Sequence, residues 1–344
     1  MGVDTPANQG RMPQVAILDD YAGVALDVAD WSAVQTRSEV TVFDRHLSEA
    51  EAVEALRPFD VVCTMRERMA FPRTLIERLP ELKLITIVGR SLPNLDLAAA
   101  VDCGVLVTHS DFANPRFTSV HDATPELAWG LMIATVRNLA EEHRRMRAGA
   151  WQSTVGMTLA GKTLGLLGLG RTGKRMAQYG NAFGMEVIAW SQNLTEEAAA
   201  AAGVRRVEKA TLFAESDVVS IHLVLSERTR GLVAQPELAL MRPQSYLINT
   251  SRGPIVDEAD LVAALEGGRI AGAGLDVYDL EPPPEDHPLR FLPNVTLSPH
   301  LGYVTREMLG AFYCDTIEAV TAWLDGTPIR IANPEALQPP TSLS

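Results

Sequence analysis

The chain has 344 residues, 47% of them hydrophobic and 21% charged. That length and balance suit two packed domains and argue against a disordered chain. A net charge of −13 with no Lys/Arg cluster speaks against nucleic acid and anionic membrane surfaces as partners, and an anionic substrate would need a local cation.

Residues 1–12 read as a polar tail without an apolar leader core. Short apolar runs then follow at Gln14–Asp19, Val40–Phe43, Asp60–Thr64, Leu82–Val88 and Val105–Thr108, with helical stretches such as Ser48–Leu56 and Arg73–Arg78 between them. Alternating strands and helices predict a parallel sheet with helices on its faces. A long helix is predicted over Pro125–Ala148, with Thr124 as its N-cap, either joining two lobes or packing on a partner subunit. A second alternating series has strands at Lys162–Gly168, Glu186–Trp190, Asp217–Ile221, Ser245–Asn249, Ile270–Leu275 and Asn294–Leu297. The last predicted helix, Thr305–Leu324, is expected to cross back to the first lobe. The expected fold class is therefore α/β, two Rossmann-like lobes with parallel sheets. Their domains are 13–120 plus 305–335 and 121–304, leaving tails at 1–12 and 336–344. No apolar run reaches the roughly 18 residues of a membrane helix. The three scattered cysteines, Cys63, Cys103 and Cys314, suggest neither disulfides nor a metal site, so a reducing, cytoplasmic setting without a bound metal is expected.

Gly168-Leu-Gly170-Arg-Thr-Gly173 follows an apolar strand and opens a helix. In that context the spacing points to a dinucleotide: the first glycine permits a tight turn, the second admits a pyrophosphate, and the third lets helix and strand pack closely. Helix N–H groups then hold the phosphates. A carboxylate is expected about 20 residues on to bind the ribose hydroxyls of NAD. Ser191-Gln192-Asn193 stand there instead, with no acid before Glu196 and no arginine before Arg205. NAD is expected, and the neutral groups leave NADP open.

Three polar segments follow apolar strands of the second lobe: Asn249-Thr-Ser-Arg252-Gly-Pro, Asp276-Val-Tyr-Asp-Leu-Glu281-Pro-Pro and Ser298-Pro-His300-Leu-Gly. Ligands of open α/β sheets bind at the carboxyl ends of strands, which places Arg252, Glu281 and His300 beside a bound nicotinamide. A histidine supplies or removes a proton near neutral pH. A carboxylate on its other ring nitrogen fixes the tautomer and favours the imidazolium. An arginine fork suits the carboxylate and carbonyl oxygen of a 2-keto acid.

These three segments, with Leu166–Gly173, Leu247–Val256, Gly274–Pro282 and His300, resemble the signatures of the D-isomer-specific 2-hydroxyacid dehydrogenase family, over roughly residues 14–335. The resemblance implies that Arg252, Glu281 and His300 are catalytic. It implies that Gly168, Gly170, Arg171, Thr172, Gly173, Ser191, Gln192, His222, Thr229, Thr250, Asp276 and Gly302 bind the cofactor, Asp276 at the nicotinamide carboxamide. It further implies a flavodoxin-like substrate domain completed by the C-terminal helix, and a homodimer built on the long helix. Gly89, Arg90 and Ser91 stand where the family has a glycine-rich loop for the substrate carboxylate, with Ser91 replacing a glycine and Arg90 added. They are expected to bind substrate, as is Arg66; Val224 replaces a common cofactor-pocket proline. Formate dehydrogenases share the fold but carry Gln where this chain has Glu281, which disfavours that reading. A non-catalytic dinucleotide sensor or co-repressor on the same scaffold is the alternative.

Overall fold

The structure, a computed structural model, describes residues 11–89, 94–117 and 121–337. The chain divides into two compact units: Asp122–Val304 forms one, and the residues up to His121 and from Thr305 form the other.

In the discontinuous unit, β1 (Gln14–Ile17), β2 (Glu39–Val42), β3 (Val61–Thr64), β4 (Leu84–Ile87) and β5 (Leu106–His109) form a parallel sheet in the order β2-β1-β3-β4-β5. β3 and β4 are buried at every residue, as expected of strands covered on both faces. Ser48 caps helix Glu49–Leu56 through a capping box with Glu51, which explains why the helical pattern starts there. The helix Arg306–Leu324 begins at Thr305, whose hydroxyl accepts from Met308 N. Its Phe312 and Tyr313 are buried against Phe117 and Trp31 of the N-terminal part.

In the continuous unit, β6 (Thr163–Leu167), β7 (Glu186–Trp190), β8 (Arg205–Arg206), β9 (Val218–Ile221), β10 (Tyr246–Asn249), β11 (Gly272–Leu275) and β12 (Val295–Leu297) form a parallel sheet. Its order is β12-β11-β10-β9-β6-β7-β8. Successive side chains of a strand face opposite ways. Leu164 and Leu166 accordingly join one core with Met132 and Met176, and Leu167 joins the other with Phe213 and Leu247. Truncating such a buried leucine to alanine costs roughly 2–5 kcal/mol. The chain order along the sheet reverses between β6 and β9, and the crevice beyond their carboxyl ends is where a doubly wound sheet takes its ligand.

One sequence expectation needs correction. The predicted long helix is two, Ala123–Val136 and Leu139–Arg147, both inside the continuous unit. Asn138 breaks it at φ +53, a left-handed conformation that asparagine tolerates better than most side chains. The N-cap position falls at Asp122, and the Thr124 hydroxyl is drawn away to the Gly302 carbonyl at 2.8 Å. Among the described residues no helix is long and apolar enough to cross a membrane, and no cluster of His, Cys, Asp or Glu is arranged for a metal ion. The described parts of the tails are short, and residues 1–10 and 338–344 lie outside the described residues.

Candidate active site

The glycine turn sits at the reversal of strand order. Gly168 has φ +108, and a Cβ there would stand 2.5 Å from the His222 carbonyl oxygen that follows β9. A Cβ on Gly173 would stand 2.1 Å from the Gly168 oxygen, so the helix can approach the turn only without a side chain. A Cβ on Gly170 meets nothing within 4 Å. Gly170 is the N-cap of helix Arg171–Ala182 and makes no side-chain cap, so no capping side chain occupies the first amides, those of Arg171 and Thr172. Amides at a helix N-terminus and a backbone free of Cβ fit a pyrophosphate.

The rest of the cofactor set lies on neighbouring strand tips. Ser191 follows β7, and its hydroxyl accepts from Leu169 N at 3.1 Å, tying the β7 tip to the glycine turn. Gln192 and Asn193 beside it are exposed. The His222 ring contacts the Ser220 hydroxyl at 2.9 Å; desolvation pushes its pKa down to about 3, so it is neutral near pH 7. Thr250 Oγ1, at the tip of β10, is buried with no hydrogen-bond partner, a donor suited to a polar ligand. Thr229, by contrast, closes its own turn: its hydroxyl donates to the Val224 carbonyl at 2.7 Å and accepts from Ser226 N at 2.8 Å. Val224, in that turn, is 83% exposed.

The three candidate catalytic residues follow the adjacent strands β10, β11 and β12. After β10, the Asn249 side chain shapes the turn, accepting from Ser251 N at 3.0 Å and donating to the Arg252 carbonyl at 3.0 Å. The Arg252 guanidinium donates to the Ser251 carbonyl at 2.7 Å. Gly253 lets this turn press on the next one, since a Cβ there would stand 2.1 Å from the Tyr278 carbonyl carbon. After β11, Glu281 Oε1 accepts from Tyr278 N at 3.0 Å, and Oε2 lies 2.5 Å from His300 Nδ1. With Nδ1 turned to a carboxylate, Nε2 is the ring nitrogen left for chemistry.

His300 itself has φ +54, an uncommon conformation for a residue with a side chain. Asp276 secures it. One carboxylate oxygen accepts from the Ser298 hydroxyl at 2.5 Å and Leu301 N at 2.8 Å; the other accepts from Gly302 N at 3.0 Å. Burial raises the Asp276 pKa, opposed by these bonds and by His300. Asp276 is fully buried and holds the 298–302 loop. The Tyr278 hydroxyl, donating to the carbonyls of Leu275 and Ser298, stitches the same two strand ends together. Nothing in the sequence marks these fastening roles of Ser298 and Tyr278, because Asp276 meets Ser298, and Tyr278 the Ser298 carbonyl, only across segments.

The expected substrate residues of the discontinuous unit are described in part. Gly89 follows β4 and Arg66 follows β3 at φ +54, its Nε 3.6 Å from Glu67. Arg68 donates to the Asp19 carbonyl at 2.6 Å and lies over the Tyr21 ring. Arg90 and Ser91 lie outside the described residues.

A family model described as "D-isomer specific 2-hydroxyacid dehydrogenase, NAD binding domain" matches residues 129–302. A glyoxylate reductase from Aeropyrum pernix is 33% identical over 91% of this chain and 91% of its own length. A D-3-phosphoglycerate dehydrogenase from Archaeoglobus fulgidus is 32% identical over 83% of this chain, but that match spans only 53% of the relative. Among solved structures, a putative D-3-phosphoglycerate dehydrogenase from Ralstonia solanacearum aligns with a TM-score of 0.87 and 33% identity, covering 95% of this chain and 98% of that one.

Proposed function

We infer the function from a single premise: the chain belongs to the D-isomer-specific 2-hydroxyacid dehydrogenase family. It is an NAD-dependent oxidoreductase acting on CH–OH groups. Within that class we propose a 2-keto acid reductase, or in reverse a 2-hydroxyacid dehydrogenase, with Arg252, Glu281 and His300 as its catalytic residues. The observation that carries this reading is the 2.5 Å contact of Glu281 with His300 Nδ1, which leaves Nε2 to act.

NAD(H), when bound, accepts or supplies the hydride. The amides around Gly168, Gly170 and Gly173, with Arg171 and Thr172, hold its pyrophosphate. Ser191 and Gln192 would meet the adenosine ribose; being neutral, they offer no charge against a 2′-phosphate, so NADP is admissible. The Thr250 hydroxyl, the neutral His222 and the Gly302 backbone line the same crevice. The Arg252 guanidinium draws in an anionic substrate that the net charge of −13 would otherwise repel, and fixes its carboxylate and carbonyl by a planar fork. In reduction, His300 Nε2 passes its proton to the C2 carbonyl oxygen as hydride reaches C2. In oxidation it removes that proton. Glu281 stabilises the imidazolium, and its fixed position makes the proton transfer effectively unimolecular.

A homodimer is proposed on the surface around Leu139–Arg147, where Met146, Trp151 and Val155 are 63%, 74% and 95% exposed.

The test is consumption of NADH or NADPH, followed by absorbance, with glyoxylate, hydroxypyruvate, pyruvate and phenylpyruvate. Activity should fall by orders of magnitude in His300→Ala while NADH affinity stays near wild type. Silence of the wild-type protein across the panel with both nucleotides would instead favour a dinucleotide sensor.

A further inference from the structure

The segment carrying Glu281 is fastened from outside the catalytic trio. Glu258 opens helix Glu258–Glu266, and its side chain is 21% exposed. Its Oε1 lies 2.9 Å from His287 Nε2, and its Oε2 accepts from Asp279 N at 3.3 Å. Leu289 N donates to His287 Nδ1 at 3.3 Å, which leaves Nε2 to carry the proton toward Glu258. One carboxylate therefore grips residues 279 and 287, on either side of Glu281. Within that span Arg290 donates to the carbonyls of Pro283 and Pro284, both at 2.8 Å, and Tyr278 N holds the Glu281 carboxylate itself. The charged groups acting on Asp279 are Glu258, Arg230, Asp257 and His287.

We propose that Glu258 is a positioning residue that, through Asp279 and His287, holds Glu281 at hydrogen-bond distance from His300. The inference rests on the acid/base assignment of His300. A short charge-assisted contact is steeply sensitive to distance, and both anchoring bonds come from the first residue of a helix that Leu261 and Leu265 fix to the core. Releasing them lets the Glu281 segment drift, which weakens the stabilisation of the imidazolium that forms during proton transfer.

The experiment compares wild type, Glu258→Ala, Glu258→Gln and His287→Ala in keto-acid reduction across pH. Glu258→Ala should lower kcat about tenfold or more, with KM for the keto acid and NADH affinity nearly unchanged. A limb of the kcat pH profile should move as well, by about half a pH unit or more. Glu258→Gln keeps an acceptor for His287 and should recover much of the loss; His287→Ala should shift the same limb. If Glu258→Ala does not fold, His287→Ala carries the test alone. A pH profile that superimposes on wild type in the folded variants overturns the proposal, whatever their turnover. Wild-type protein inactive on every keto acid would overturn the functional reading instead.

Discussion

Gly253→Ala tests whether the turns bearing Arg252 and Glu281 must touch. The added methyl would stand 2.1 Å from the Tyr278 carbonyl carbon, 2.2 Å from its oxygen and 2.6 Å from Asp279 N. All three are backbone atoms, so no side chain can swing aside. Ordinary contact begins near 3.4 Å, so the two turns must part by about 1 Å. Overpacking of this kind costs about 1–3 kcal/mol of stability. A displacement of about 1 Å between groups that act on one substrate costs about a hundredfold in rate, equivalent to about 2.7 kcal/mol of transition-state stabilisation. The glycine turn follows β6, away from the clash, so NADH affinity should change little. The assay is kcat/KM for the best keto acid beside NADH binding by nucleotide fluorescence and a thermal melt. A variant with wild-type kcat/KM and melting temperature would refute the argument that this backbone contact sets the spacing of Arg252 and Glu281.

Arg252→Lys keeps the charge but loses the fork, and should raise KM for the keto acid and lower kcat; unchanged kinetics would remove Arg252 from the site. Ser191→Asp retains an acceptor for Leu169 N and adds a charge at the β7 tip, so the NADPH-to-NADH ratio of dissociation constants should rise about tenfold or more. An unaltered ratio would place the ribose elsewhere. The His222 ring declines, down to about pH 3, a proton that the unfolded chain takes near 6.5. Its folded pKa is the lower one, so its effect is absent above pH 6.5, and stability falls as pH drops from 6.5 toward 3, by at most about 1.4 kcal/mol per pH unit. Urea unfolding of wild type and His222→Asn at pH 7.5 and 5 should show a smaller loss in the variant; equal losses would assign the acid sensitivity to other groups.

Much of this architecture could be read directly because both sheets are parallel and covered. Their strands are apolar runs that stop at polar residues, so Asn249, Asp276 and Ser298 mark the tips of β10, β11 and β12 without any knowledge of the fold. The helix break at Asn138 was hidden because Leu139–Arg147 beyond it is also made of good helix formers, and one left-handed residue leaves no periodic trace. β8 escaped notice for a related reason: two arginines, Arg205 paired with Glu186 and Glu215 and Arg206 with Glu208, do not look like a strand. In the site, glycine spacing and the three polar segments identified the chemistry. What the sequence could not convey was which groups hold the site still, since Asp276 with Ser298 and Glu258 with His287 meet only after the chain has folded.

The discontinuous unit sets a timetable. Asp122–Val304 is one uninterrupted stretch and can be completed while synthesis is still under way. The N-terminal sheet is made first but must wait for Phe312, Tyr313 and Trp323, which arrive with the helix Arg306–Leu324, after the whole of the other unit. Until then only the face packed by its own helices is covered, and a nascent chain that stalls near Val304 would present chaperones with a finished nucleotide-binding half attached to an unfinished one.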